Sequence, residues 1–105
     1  MVSPIAKIEL IAVSPDGSRF SIDIEVGTPF KDPKYEGAWR CPISMKGLHN
    51  RLPDLGGSDS FQALCIVMNF VRRQLEHLQT DGVRLLTVEN GKESDFPLDA
   101  YFPSE

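Results

Sequence analysis

A cysteine and a histidine in the middle of the chain, Cys41 and His49, are candidates for nucleophilic chemistry. A thiol becomes a nucleophile when a base, a nearby cation or a helix N-terminus stabilises its thiolate. The sequence supplies no helix N-terminus and no third group that would orient His49. Cys41 instead shares the apolar side of a strand with Trp39, and Cys65 borders the apolar arc of a helix. Because free cysteine is among the most buried residue types, we predict that both thiols are inert core groups.

Metal and phosphate sites have characteristic spacings that this sequence lacks. His49 and His77 lie in different elements, and no Cys or His pair has C-x-x-C, H-x-x-x-H or H-E-x-x-H spacing. Residues 56–60, Gly-Gly-Ser-Asp-Ser, open a helix, where free amides can hold an anion. They contain no phosphate-binding motif, and Asp59 would repel an anion there, so we interpret them as a helix cap. No catalytic residue, cofactor or metal is therefore predicted.

The negative charge is concentrated at the C-terminal end. The chain has 105 residues and a formal net charge of −4. Residues 1–80 contain nine basic and nine acidic side chains, whereas residues 81–105 contain two basic and six acidic ones, which accounts for the whole charge. Affinity for a phosphate backbone comes largely from Lys and Arg. Nucleic acid is therefore not an expected partner.

Targeting and membrane signals are missing from the sequence. The N-terminus lacks a basic n-region, and Lys7 and Glu9 interrupt its first apolar stretch. The longest uncharged apolar-rich run, residues 60–71, is too short to span a bilayer. Two cysteines are too few for a disulfide framework. We therefore expect a cytoplasmic location and no membrane partner.

Alternating apolar residues predict the strands. Ile5–Val13 and Arg19–Val26 surround a turn with an Asp-Gly pair, so they predict a β-hairpin. A third alternating run, residues 39–46, contains Pro42, which cannot donate to a ladder. We expect this strand to lie at an edge or to break there. Further along the chain we expect a short strand within 48–55, a buried strand at 83–88, a turn at 89–92 and an apolar segment at 96–102.

A long helix is predicted over about residues 60–79. Asp59 and Gln62 have the spacing of a capping box, and Gly82 suits the left-handed position that ends a helix. The stripe expected to cover the sheet is Phe61, Leu64, Met68, Val71, Leu75 and Leu78. The predicted fold class is α+β: one domain over residues 1–105, in which an antiparallel sheet of four to six strands packs against one long amphipathic helix. The acidic segment 81–105 is expected to pack nearby.

The opposite side of the same helix is also apolar, through Ala63, Ile66 and Phe70. A helix that is apolar on two sides must be covered on both. Either the C-terminal segment 96–102 covers this second row, or a second chain does, as another protein or as a homodimer through these three residues. We favour the C-terminal segment because its own aromatic residues also need burial.

Two kinds of function fit these observations. Residues 37–53 contain no acidic residue, so Arg40 and Lys46 are a candidate surface for an acidic partner. With Ile66 and Phe70 on the helix, they favour a non-enzymatic protein-interaction module, such as an adaptor, an inhibitor or an immunity-type protein. The alternative is a small enzyme or ligand-binding domain that uses the region of Trp39, Cys41 and His49. The lack of a catalytic constellation favours the first.

Two short motifs carry a resemblance to a known family. One is the W-x-C-P strand, Trp39-Arg40-Cys41-Pro42, and the other is the G-x-D-S-x-Q-A-L helix start of residues 57–64. They resemble those of a family of small bacterial proteins known as a domain of unknown function, over about residues 5–90. The resemblance implies a bacterial source and the same sheet-and-helix layout. It implies no activity.

Overall fold

The computed structural model describes residues 3–103. Within this range the chain forms a five-stranded antiparallel sheet, a second sheet of three strands and one long helix that packs on them. The predicted α+β class is confirmed. The elements in chain order are β1 Ala6–Val13, β2 Arg19–Val26, β3 Phe30–Lys31, β4 Trp39–Cys41, β5 Ile43–Lys46, β6 Leu55–Gly57, α1 Ser60–Thr80, β7 Arg84–Glu89, β8 Lys92–Asp95 and α2 Leu98–Tyr101.

The larger sheet is built on the predicted hairpin. Its strand order is β5-β2-β1-β7-β8. β1 and β2 pair over their full length, from Ala6 opposite Val26 to Val13 opposite Arg19. Even-numbered residues of both strands face the helix and form much of the core, whereas odd-numbered residues form the outer face of the sheet. The alternation read from the sequence therefore gives the correct inner and outer faces.

Pro42 separates two strands that belong to different sheets. β4 pairs with β3 and β6, whereas β5 pairs with β2 at the edge of the larger sheet. The break expected at Pro42 is confirmed, because a residue without an N–H cannot continue the ladder. The short strand expected within residues 48–55 instead spans Leu55–Gly57, as β6. Gly56 and Gly57 therefore belong to a strand rather than to the helix start.

The N-terminal cap of α1 follows the sequence prediction. Asp59 Oδ1 accepts a hydrogen bond from the amide of Gln62 (2.7 Å), and Gln62 Oε1 accepts one from the amide of Ser58 (2.6 Å). The first bond satisfies one of the amides that a helix leaves without partners at its start, and the second holds the amide of Ser58, the residue before the cap.

We expect Asp59→Ala to lower the free energy of unfolding by about 0.5–2 kcal/mol, since it removes the acceptor for the Gln62 amide. Urea denaturation measures the loss. Asp59→Asn is the control, because it keeps an acceptor oxygen and removes only the charge. If the two variants lose equal stability, the cap acts through its charge and not through its hydrogen bond.

The C-terminal end of α1 is a Schellman motif. The amide of Gly82 donates to the carbonyl of Gln79 (3.0 Å), and the amide of Val83 donates to the carbonyl of Leu78 (2.9 Å). Gly82 has a φ of +89°, as predicted for the residue that ends the helix. Although α1 spans 21 residues, neither it nor any other helix within residues 3–103 is long and apolar enough to cross a bilayer.

The face of α1 that packs on the sheet differs from the predicted stripe. Phe61 is 77% exposed and Met68 is 38% exposed, so the stripe is wrong at both positions. The cause is the close contact between α1 and β6, where a Cβ on Gly57 would lie 2.6 Å from the amide nitrogen of Ala63. Only the small-residue side of the helix can approach a backbone so closely. The residues that α1 buries are Ala63, Val67, Val71 and Leu75.

The predicted second apolar row is divided among different environments. Ala63 lies in the core, Ile66 is 38% exposed and Phe70 is half-buried. The ring of Phe70 packs on that of His49, with centroids 6.4 Å apart. His49 is held there by a hydrogen bond between its Nε2 and Oε1 of Gln74 (2.7 Å). Ala63 is therefore not available to an interface, and the cover on Phe70 comes from the segment after β5.

The C-terminal segment covers a different side of α1 from the expected one. Phe96 and Phe102 line a cavity together with Met68 and Val71, on the side of the helix away from Ile66. The expectation that this segment covers the second row is wrong. After the β7–β8 hairpin the segment lies next to Ile8 of β1 and over the Met68 side of the helix instead.

Candidate functional site

Cys41 is fully buried at the end of β4. Its thiol donates a weak hydrogen bond to the carbonyl of Gly27 (3.5 Å). Burial raises the pKa of the Cys41 thiol, and the negative charge of Asp54 raises it further by a smaller amount. A protonated, enclosed thiol is a poor nucleophile. The predicted burial of Cys41 is confirmed, whereas Cys65 is exposed and its predicted burial is wrong.

We expect a disulfide reagent such as DTNB to modify Cys65 rapidly in the native protein and Cys41 at least about 100-fold more slowly, because Cys41 must await local opening. The variants Cys65→Ser and Cys41→Ala isolate the two thiols. In denaturant their rates should become equal. Rapid native labelling of the Cys65→Ser variant would contradict the prediction and favour the enzyme alternative.

The three residues of that alternative are not joined by polar contacts. Trp39 packs beside Lys31, whose Nζ lies 5.9 Å from the ring centroid. The Nε2 of His49 is hydrogen-bonded to Oε1 of Gln74. Within residues 3–103 no hydrogen bond joins Cys41 to His49. The arrangement therefore lacks the contact through which a base would activate the thiol.

The two predicted basic residues, Arg40 and Lys46, belong to different sheets. Arg40 Nε lies 2.8 Å from Asp32 Oδ2, and this bond, followed by one from the Lys34 amide, lowers the pKa of Asp32. Lys46 lies opposite Asp23 in the β2–β5 register. Since each cation has a carboxylate neighbour, little positive potential is left for an acidic partner.

On the side away from β2, the first half of β1 has no paired strand among residues 3–103. β7 pairs with β1 only from Ile11 to Val13 and then separates to pair with β8. The amide of Ser14 donates to the carbonyl of Ser18 (2.8 Å), and bonding alternates along an antiparallel ladder, so even-numbered residues of β1 bond to β2. The backbone N–H and C=O groups of Lys7 and Glu9 therefore point away from β2. We call residues 6–10 of β1 the open edge.

The separation of β7 from β1 produces a cleft of about 490 Å³ next to the open edge. Ile8 and Glu9 of β1, Val88 and Glu89 of β7, and Tyr101 of the C-terminal segment line it. Val88 is 53% exposed and Tyr101 is 55% exposed. We call this space the strand cleft. It combines an unpaired strand edge with uncovered apolar surface, and such edges are templates for another strand.

An apolar cavity of about 150 Å³ adjoins the strand cleft on the helix side of the sheet. Ile8 and Tyr101 border both spaces. An apolar cavity of about this size can hold a benzene ring. The cavity can therefore take one side chain of the size of Phe or Leu. The other apolar residues that line it include Ile24, Val26, Met68, Val71, Phe96 and Phe102.

The sequence gives only weak signals of this site. Ile11 and Val13 place apolar side chains on the outer face of β1, a pattern that indicates a partly covered second side. Val88 and Tyr101 lay in segments predicted as a buried strand and a packed tail. Nothing in either segment indicates where β7 leaves β1, because that depends on the twist of two strands far apart in the chain.

The fold and its cleft define a small α+β domain in which one edge of a central strand stays open beside an apolar cavity. The chain belongs to the family described as a domain of unknown function (DUF6968), whose model matches residues 10–98. The expected membership of a family of unknown function is thereby confirmed. Neither a curated protein nor a solved structure matches the chain.

Proposed function

We propose that this domain is a non-enzymatic protein-interaction module that adds an extended segment of a partner protein to the open edge of β1. The observation that carries the proposal is the pairing of β7 with only three residues of β1, Ile11 to Val13. In strand addition, backbone bonds give affinity and pockets for alternate side chains give specificity. The open edge and the apolar cavity offer both, side by side. An adaptor, an inhibitor and an immunity-type protein could all use such a capture.

The expected affinity is modest. Lys7 and Glu9 offer two N–H and two C=O groups, and each backbone hydrogen bond contributes about 0.5–1.5 kcal/mol net. Burial of one large apolar side chain in the cavity adds about 1.5–3 kcal/mol. Ordering of the bound segment offsets part of these gains. We therefore expect a dissociation constant between about 1 μM and 1 mM, typical of a transient partner.

The helix surface named from the sequence supports an interaction less well. Ala63 is buried and Phe70 is covered by His49, so Ile66 alone remains of that row. Arg40 is bonded to Asp32. The open edge has unpaired backbone groups as well as apolar surface, and this combination favours it as the partner site.

The test measures binding of an extended probe to the whole, isotope-labelled chain by NMR. The probe is an acetylated and amidated peptide of about six residues, a typical strand length, with a central Phe and alternating Val and Gln. We expect the Lys7 and Glu9 amides to exchange rapidly in the free protein and to gain at least about tenfold protection with the probe. Lys7→Pro should weaken binding about tenfold, because it removes an outward N–H and leaves the bonds to β2 intact.

Glu93→Pro is the matched control, because Glu93 lies in the edge strand β8, does not line the strand cleft, and has an N–H that also points outward by the same alternation. Its binding should equal that of the wild type. Equal losses in both variants, or no protection of Lys7 and Glu9 at saturating probe, would contradict the proposal. Light scattering tests whether a second copy of the chain occupies the edge. If the wild type is a dimer and Lys7→Pro is a monomer, the edge binds a second copy, and the proposal of a separate partner protein is wrong.

A further inference from the structure

We infer that the segment bound at the open edge carries a basic residue opposite Glu9 and, next to it, a Phe- or Leu-sized residue opposite Ile8. This inference rests on the proposed function and specifies its partner. It follows from the charges around Glu9 and from the position of the cavity behind Ile8.

Glu9 has no opposite charge directly across the hairpin. Across the hairpin it faces Asp23, another carboxylate, whereas Lys7 faces Glu25. Like charges directly opposite each other destabilise an antiparallel pair, and opposite charges stabilise it. Lys7 is therefore matched within the hairpin and Glu9 is not.

The other carboxylates of the strand cleft already have basic neighbours. Asp95 Oδ1 lies 2.9 Å from Arg84 Nη2, and Glu89 lies opposite Lys92 in the β7–β8 register. None of the described residues that line the cleft is a lysine or an arginine. Glu9 is thus the carboxylate that a cation on an incoming strand would meet. Opposite residues of paired strands have Cβ atoms about 4.5–5.5 Å apart, close enough for an ion pair.

The cavity determines which side chain fits the next position of the added strand, opposite Ile8. Ile8 faces the helix and borders the apolar cavity, whereas Glu9 is on the outer face of the sheet. Successive residues of an added strand also point to opposite faces. The residue opposite Ile8 therefore points to the cavity, and its neighbour opposite Glu9 points to the carboxylate. Since the cavity volume is about 150 Å³, one ring or one branched side chain fits it.

Two isomeric probes distinguish an ion pair with Glu9 from a general attraction of a basic peptide to an acidic protein. Both are capped peptides of about six residues with a central Phe. One has Lys before the Phe and Gln after it, and the other has the reverse order. For one strand direction, only one of them places Lys opposite Glu9, while the other places it opposite Lys7. We expect one order to bind about two- to fivefold more tightly at low salt, the size of an exposed ion pair, and the difference to shrink as salt is added.

Glu9→Gln should reduce the preference between the two orders, because it removes the attraction at Glu9 and leaves only the repulsion between Lys7 and the Lys of the other order. Glu36→Gln changes the net charge equally, at an exposed residue outside the strand cleft, and should leave the preference unchanged. Replacing the central Phe of the probe by Ala should weaken binding about tenfold or more.

The outcomes distinguish this inference from the proposed function. If both orders protect the Lys7 and Glu9 amides but bind equally, or if the preference is as large in Glu9→Gln as in the wild type, the inferred sequence pattern is wrong while strand addition stands. If neither order nor the uncharged probe protects those amides, the proposed function itself fails.

Discussion

Gly47→Ala is expected to lower the free energy of unfolding by at least about 3 kcal/mol, a large part of the 5–15 kcal/mol of a typical domain. Gly47 directly follows β5 and has a φ of +97°, a conformation that other L-residues adopt only with strain. A Cβ at this position would lie 1.9 Å from the carbonyl oxygen of Ser21 in β2. Neither strand backbone can move without breaking the β2–β5 ladder. Urea denaturation monitored by circular dichroism measures the loss.

Gly37→Ala is the matched control for this prediction. Gly37 has a similar φ of +80°, but a Cβ there would meet nothing within 4 Å. Gly37→Ala should lower the free energy of unfolding by only about 1–2 kcal/mol, the cost of the left-handed conformation alone. The difference between the variants measures the close approach of Gly47 to Ser21. Equal losses would mean that strain in φ explains both, and that β5 does not hold its end so close to β2.

Elements with local signals could be predicted from the sequence. The β1–β2 hairpin follows from strict alternation around an Asp-Gly turn, and α1 follows from its apolar spacing and its two caps. Pro42 breaks the third run because its ring removes a donor, whatever the rest of the chain does. These features depend on neighbours in sequence, so one sequence is sufficient to identify them.

Features set by contacts between distant segments could not be predicted in the same way. Both sides of α1 looked apolar, and the choice between them was made by the close approach of Gly57 to Ala63. Large residues such as Phe61 suggested a core face by their hydrophobicity, but the small side of the helix fits the backbone of β6. Cys65 was predicted to be buried with the Phe61 stripe, and it is exposed for the same reason.

The candidate site escaped prediction because it depends on where two strands separate. β8, Lys92–Asp95, is exposed throughout and has no apolar alternation, so its segment gave no strand signal. Its pairing with β7 accompanies the departure of β7 from β1 beyond Leu86. Glu9 looked like an ordinary solvent-facing residue of a strand. Its position opposite Asp23 and beside a cleft follows from register and twist, which the pattern of one strand does not specify.

A pair of aspartate substitutions on α1 is expected to have very different effects on stability. Val67 is fully buried, so Val67→Asp places an unpaired carboxylate in the core and should unfold the domain or cost more than about 3 kcal/mol. Phe61 is mostly exposed in the first helical turn, which contains no acidic residue. Phe61→Asp should therefore leave stability within about 0.5 kcal/mol or raise it by up to about 1 kcal/mol, through the helix dipole. Thermal and urea unfolding measure both. If Phe61→Asp is the more damaging change, α1 packs on the sheet through the stripe that hydrophobicity alone suggested, and the face set by Ala63 is wrong.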